Sequence, residues 1–369
     1  MKVLHCYRTF YPESHGGVEQ ALFEMAYHDK DAEVLTLSVS PGLKLFNGIR
    51  VFAAKRWFSI SSCCVGLGLI AHLRKKHTQI IHCHFPWPFA DFAYLIAGKR
   101  RPLVITYHSD IIKQRFLAQA YKPLMRWFLN RADRIVATSP NYLASSPILQ
   151  SYSSKVEVIP LGISESNYPK VNNKTNKALK MQYGSDFMLF IGALRYYKGL
   201  EHLINASRSL PFKVLIAGTG GEEKKLKALA KSLDVTNVHF LGFVTDEEKM
   251  ALLSLCRAVV FPSHLRSEAF GVTLLEGMMA KKPLISCEIN TGTSYVNING
   301  VTGHVIPPGD VKSLRNAMLD LWENPAKAKA FGAAARARFE EKFTGEKMAH
   351  SYKNLYNRIF SEHEAKASR

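Results

Sequence analysis

Short apolar runs rich in β-branched residues alternate along the chain with longer stretches of helical periodicity, the signature of βαβ units built around a parallel sheet. The first half supplies expected strands at 2–7, 33–39, 80–84, 103–108, 134–139 and 155–161, and the second at 187–191, 213–217, 238–241, 258–262, 283–287 and 303–306. Between the two series, 164–186 is polar, rich in Lys and Asn and poor in aliphatic residues, as an interdomain linker is. The pattern predicts an α/β protein of two doubly wound, Rossmann-like domains, 1–165 and 166–345. They are followed by a helical segment, 346–369, striped with Met348, Tyr352, Leu355, Tyr356 and Ile359. Two such domains facing across a cleft place ligands at the carboxyl ends of their strands, so functional residues are expected just after strands.

Several unusual residues stand at such positions. The stretch SEAFGVTLLEGMMA sets Glu268 and Glu276 eight positions apart, with Phe270 and Gly271 between them. If helical throughout, it would separate the carboxylates by about 12 Å, roughly the reach of a sugar, a diphosphate and a ribose. Each carboxylate would then accept hydrogen bonds from sugar or ribose hydroxyls while free N–H groups of the first turn meet phosphate or sugar oxygens. The alternative is an ordinary amphipathic helix with a surface Glu276. Arg195 and Lys198 follow a strand between glycines and offer two cations to a departing diphosphate, which needs no metal; solvated charges at a helix start are the alternative. Gly16-Gly17 after the first strand and Gly218-Thr-Gly220-Gly221 after a later one let backbone approach an anion, and neither makes a full dinucleotide fingerprint. His108 closes the strand Val104-Ile-Thr-Tyr.

In this order and spacing the pieces resemble the family-four retaining glycosyltransferases of the two-domain GT-B fold, and the likeness runs over nearly the whole chain. The resemblance implies an acceptor-side first domain, a second domain that binds a nucleotide sugar, and a last helix that packs back on the first. It implies Glu276 on the ribose, Glu268 on donor-sugar hydroxyls with Phe270 and Gly271 lending backbone donors, and Arg195 and Lys198 on the diphosphate. Gly16, Gly17 and Gly218 would line the donor, Phe243 and Val244 would flank the base, and His108 would sit beneath the transferred sugar. The Arg-to-Lys spacing is tighter than the family's frequent five-residue gap. The implied reaction transfers a sugar to a hydroxyl with retention, a leaving phosphate oxygen taking the acceptor's proton; a covalent carboxylate route is the minor alternative. No cofactor or metal is expected.

The stretch Cys287-Glu-Ile-Asn-Thr-Gly-Thr-Ser-Tyr-Val-Asn, with His82-Cys-His84-Phe-Pro-Trp-Pro, resembles bacterial mannosyltransferases and rhamnosyl-transferring relatives that build lipopolysaccharide O-antigens and exopolysaccharides. That leans the donor to GDP-mannose and the acceptor to a lipid-linked glycan, with UDP-sugars, dTDP-rhamnose and a nonhydrolysing sugar-nucleotide epimerase as alternatives.

With 369 residues, 47% of them apolar, the chain can bury two cores, and whole-chain disorder is excluded. Its six cysteines form neither a disulfide framework nor a CxxC zinc pattern. The N-terminus lacks a signal-peptide core, and the longest apolar run, 60–71, is too short to span a bilayer, so a cytoplasmic protein is expected. Asp29-Lys-Asp31 fits a D-x-D metal motif but sits where a solvated turn is expected. His82 and His84 share one strand face, and without a third histidine or a carboxylate nearby they read as packed or acceptor-site residues.

The formal net charge is +19, and fifteen Lys or Arg between 50 and 135 face only Asp91, Asp110 and Asp133. The segments 111–117 and 124–129 interleave cations with large apolar side chains, as interfacial helices do. Peripheral attachment to an anionic inner leaflet is the expectation; a solvated basic face over core-packing helices is the alternative. A nucleic-acid-binding protein would also be basic, yet no nucleic-acid motif is present and E-x7-E would be unexplained, so no nucleic-acid partner is expected.

Overall fold

The computed structural model describes residues 1–60, 63–75, 78–98, 101–111 and 115–367. The chain divides into two compact units, one formed by 1–162 with 345–369 and the other by the continuous segment 163–344.

The first unit holds an eight-stranded sheet. Its strands are β1 (Val3–Cys6), β2 (Glu33–Ser38), β3 (Gly42–Phe46), β4 (Ile49–Lys55), β7 (Ile80–Phe85), β8 (Leu103–Tyr107), β9 (Arg134–Ala137) and β10 (Val156–Val158). A short hairpin, β5 (Phe58–Ile60) and β6 (Cys63–Val65), stands apart and is tied in where the indole N–H of Trp87 donates to the Cys64 carbonyl at 2.9 Å. The sheet order is β10-β9-β8-β7-β1-β2-β4-β3, parallel except for β3. Every residue of β1, β2, β7 and β8 is buried, as expected of a parallel sheet covered on both faces.

The second unit carries six parallel strands, β11 (Met188–Ile191), β12 (Val214–Ala217), β13 (Val238–Gly242), β14 (Ala258–Phe261), β15 (Leu284–Cys287) and β16 (Gly303–Ile306), in the order β13-β12-β11-β14-β15-β16. All twelve strands read from the apolar runs are present. The expected linker 164–186 is not one. It belongs to the second unit and contains the helix Asn173–Tyr183, whose polar residues bind its neighbour: the Thr175 hydroxyl donates to Glu247, and the Asn176 amide to the Ser254 hydroxyl at 2.7 Å. A helix packed through hydrogen bonds rather than a broad apolar face is what makes this stretch look like a linker.

The hairpin β3–β4 is an addition to the pattern. Asn47 (φ 46°) and Gly48 (φ 82°) turn it, the paired left-handed conformations of a two-residue hairpin loop. The helix Gly345–Ala367 returns to the first unit, where the hydroxyls of Tyr352 and Tyr356 meet Thr106 and His82 on the sheet. Among the described residues no helix is long and apolar enough to cross a membrane.

Candidate functional site

In the second unit β11 is the topological switch point: β12 and β13 build to one side of it, β14 to β16 to the other. Open α/β sheets form their ligand crevice at the carboxyl ends of such strands. The loops after β11 and β14 are drawn together there. His264 N–H donates to the Tyr197 carbonyl at 3.0 Å, and a Cβ on Gly199 (φ 67°) would stand 2.0 Å from the Pro262 carbonyl oxygen.

This contact brings Lys198 onto Glu268. Lys198 Nζ lies 2.5 Å from Glu268 Oε2, with both side chains 10 to 12% exposed, and the Ser263 hydroxyl donates to the same oxygen at 3.2 Å. The ammonium also lies 4.5 Å from the centre of the Phe261 ring. Arg195 is exposed on the same loop and forms no ion pair among the described residues. An exposed cation beside a buried, clamped one suits an anion that arrives and leaves.

Glu268 and Glu276 do not share one helix. The helix is Val272–Met279, and Gly271 ahead of it adopts a left-handed φ of 89°, which breaks the helical path between the carboxylates. The helix start has neither a side-chain cap nor an acidic residue in its first turn, which leaves its N-terminal dipole to an outside anion. Phe270 is buried against the edge of Phe343, with ring centres 6.2 Å apart. Glu276 Oε1 accepts from Lys249 Nζ at 2.8 Å and from the Tyr168 hydroxyl at 3.1 Å, and Lys249 also reaches Asp246 at 2.8 Å. Burial opposes the Lys249 charge, but Glu276 and Asp246 outweigh it and hold the ammonium above the ordinary lysine value.

Gly218 (φ 137°) serves loop packing: a Cβ there would lie 2.0 Å from the Gly192 carbonyl oxygen, and Leu194 N–H donates to the Thr219 carbonyl at 2.9 Å. Phe243 and Val244 follow β13, and Phe243 is exposed.

The first unit has its own switch point, between β1 and β7. Gly16 precedes the helix Gly17–Tyr27, and the Glu19 carboxylate, held by Thr9 at 2.7 Å and Ser14 at 2.8 Å, occupies the space a Gly16 Cβ would need. His108, just past β8, is buried and places Nε2 2.9 Å from Nδ1 of His84. The expectation that no third histidine stands near His82 and His84 is corrected here. The parallel register sets His5 beside His82, and His5 Nδ1 lies 3.2 Å from His84 Nε2. Burial holds His5 and His108 down to about 3, helped at His108 by the charge of Arg8, and holds His82 and His84 well below the ordinary value. The rings of His5, His82 and His84 are close enough to surround a metal ion, but both His82 nitrogens are already engaged, by Tyr356 at 2.6 Å and Thr106 at 2.7 Å. Asp29 and Asp31 form a turn, with Asp31 N–H donating to Asp29 at 3.1 Å.

Residues 15–167 match the family model described as Glycosyltransferase Family 4, and 172–338 the one described as Glycosyl transferases group 1. The D-rhamnosyltransferase WbpZ of Pseudomonas aeruginosa is 45% identical over 352 residues, 93% of this chain and 92% of that protein. The chain belongs to glycosyltransferase family 4. The O-antigen chain mannosyltransferase C of Escherichia coli is 42% identical over 97% of this chain and 99% of that protein. The sucrose-phosphate synthase of Thermosynechococcus elongatus matches in structure with a TM-score of 0.83 and 20% identity, covering 98% and 99% of the two chains, and the fold is GT-B.

Sequence reading missed several residues of this glycosyltransferase. Lys249 and Tyr168 reach Glu276 from 27 and 108 positions away, and neither stands in a recognisable motif. His5 was detectable only by pairing β1 with β7 in parallel register, a step that needs the strand order.

Proposed function

We propose that this family-four enzyme transfers a mannosyl group from GDP-mannose, with retention and without a metal, to a hydroxyl of a lipid-linked glycan in O-antigen or exopolysaccharide synthesis. The observation that carries the reading is the pairing of Lys198 with Glu268 at the switch point of the second unit, beside an exposed Arg195 and an uncapped helix start. In this reading the diphosphate takes Lys198 and Arg195, which releases Glu268 to accept hydrogen bonds from sugar hydroxyls. Glu276 exchanges Lys249 for the ribose hydroxyls, with Phe270 and Gly271 presenting backbone N–H groups and Gly218, Phe243 and Val244 lining the nucleotide. The bond from the anomeric carbon to the diphosphate oxygen breaks, and the acceptor oxygen bonds to that carbon on the same face. The acceptor's proton passes to the leaving phosphate oxygen, so no protein base is required, and the two cations stabilise the charge that develops. His108 of the first unit serves the transferred sugar, and Gly16 and Gly17 the donor phosphate and acceptor.

The mannosyltransferase of 42% identity favours mannose, and the 45% identical D-rhamnosyltransferase supports a second reading. A D-rhamnosyl group is a 6-deoxymannosyl group, so the two donors differ by a single hydroxyl. A buried polar group set to bind that hydroxyl would strongly reject the deoxy sugar, whereas an apolar contact would discriminate weakly. Cytoplasmic residence with peripheral attachment to an anionic membrane completes the reading. Along the helix Arg115–Arg131, Met125, Phe128 and Leu129 face the core while Lys122, Arg126 and Trp127 are exposed. Of the segment 111–117, residues 112–114 lie outside the described residues, as do 61 and 62 of the apolar run 60–71.

The test is a calorimetric titration with GDP, UDP, dTDP and GDP-mannose, paired with transfer assays using GDP-linked mannose and D-rhamnose. Selective binding of GDP and transfer of mannose support the reading. Transfer of rhamnose alone moves it to the second, and release of an epimerised sugar nucleotide without acceptor removes both.

A further inference from the structure

Three buried imidazoles run in series through the first unit. His5 Nδ1 faces His84 Nε2 at 3.2 Å, and His84 Nδ1 faces His108 Nε2 at 2.9 Å. The rings of His5 and His84, and those of His84 and His108, stack at 5.5 and 5.3 Å, so the series is held by ring contact as well as by hydrogen bonds. Each neutral imidazole has one N–H and one lone-pair nitrogen. His84 spends both of its nitrogens inside the series and must therefore donate to one neighbour and accept from the other.

We propose that His5 and His84 are positioning residues that, through these two consecutive bonds, dictate which ring nitrogen of His108 carries the proton. The geometry permits two arrangements. If His5 donates to His84, then His84 donates from Nδ1 to His108 and all three rings are protonated at Nδ1. If His108 donates, the direction reverses and all three are protonated at Nε2. A mixed set leaves one N···N contact with two protons or none. Burial keeps the rings neutral, which removes the doubly protonated escape. The nitrogen of His108 left outside the series is Nδ1, and its character as donor or acceptor follows from the state of His5 two bonds away.

His82 stays outside this chain. Its nitrogens are taken by Tyr356 and Thr106, and Thr106 in turn meets the Tyr352 hydroxyl at 2.8 Å, so that the C-terminal helix holds the neighbouring ring in place. The inference rests on the proposed role of His108 at the transferred sugar, since a fixed tautomer at Nδ1 matters where that atom meets a hydroxyl.

Long-range proton–nitrogen spectra of the full chain, labelled with nitrogen-15 at histidine, read the tautomers directly, with His5→Phe and His84→Leu giving the assignments. The expected result is one shared tautomer for His5, His84 and His108. In His84→Leu or His5→Phe, His108 shifts to a mixture, and kcat falls about tenfold, the scale of one lost hydrogen bond, while the donor KM is unchanged. His84→Gln, whose amide both donates and accepts, restores most of the loss. Mixed tautomers in the unaltered protein overturn the proposal. So does a His108 spectrum indifferent to both variants, or a transition metal found by elemental analysis with the rings as its ligands. His108→Ala separates the two ideas: full turnover in that variant removes the sugar role of His108, while the spectra still decide whether the three rings are coupled.

Discussion

Lys249 and Glu276 lie on different helices, yet their charged atoms stand 2.8 Å apart with 15 and 8% of their side chains exposed. The pair gives Glu276 a fixed orientation, and it sets the proposed ribose hydroxyls in competition with a lysine for that carboxylate.

Removing the lysine leaves a nearly buried carboxylate that keeps the Tyr168 hydroxyl but loses its ammonium partner. Lys249→Met is expected to lower stability by about 2–3 kcal/mol, measured by urea denaturation. Because the folded-state value of Lys249 is raised, its contribution is complete below the ordinary 10.5 and is lost as pH rises through the raised value. The wild-type midpoint should therefore fall at strongly alkaline pH more steeply than that of the variant.

Glu276→Ala and Arg195→Ala are expected to fail differently. The first should weaken GDP binding about tenfold or more by removing the proposed acceptor for ribose hydroxyls. The second should lower turnover about a hundredfold with a smaller effect on affinity, because in the proposed reaction its charge acts on the departing diphosphate. Equal losses of affinity with turnover intact would contradict the division.

Two glycines three positions apart in the chain make a paired test. A methyl group at Gly218 would collide with the Gly192 carbonyl 2.0 Å away, whereas one at Gly221 would meet nothing within 4 Å. Gly218→Ala is expected to cost about 3 kcal/mol and Gly221→Ala less than about 0.5 kcal/mol, read as thermal midpoints.

Acid should unfold the protein through its buried histidines. His5 and His108 are held near 3 against an ordinary 6.5, so the unfolded chain binds their protons first. Stability then falls as pH drops below 6.5, by about 1.4 kcal/mol per pH unit for each such ring, until about pH 3. His5→Phe should flatten the dependence of the urea midpoint on pH between 4 and 6.

The basic first unit should carry the protein onto vesicles containing anionic lipid and release it as salt rises. Trp127→Ala combined with Arg126→Ala is expected to weaken co-sedimentation severalfold. Co-sedimentation indifferent to anionic lipid would end the membrane reading.

How much of this was legible depended on distance along the chain. The twelve parallel strands were, because a strand buried on both faces writes itself as a continuous apolar run, Leu189 to Ile191 being an instance. The β3–β4 hairpin carries a local signal in Asn47-Gly48, with alternating residues such as Leu43, Lys44 and Leu45, but that signal is weaker than the continuous apolar runs beside it. Eight-residue spacing drew attention to Glu268 and Glu276 but misjudged their setting, since nothing before the backbone is traced reveals that Gly271 takes a left-handed φ. The partners of those carboxylates, Lys198 apart, come from segments whose own composition is ordinary. Tertiary packing alone gives Lys249, Tyr168 and His5 their roles.

The return of the helix Gly345–Ala367 to the first unit has a bearing on biosynthesis. The 163–344 unit is continuous, so every contact inside it can form while synthesis proceeds, whereas His82 and Thr106 wait for Tyr356 and Tyr352, made more than two hundred residues later. The unit that leaves the ribosome first is thus the one completed last, and in the interval its sheet must be shielded by chaperones or by its own partial order.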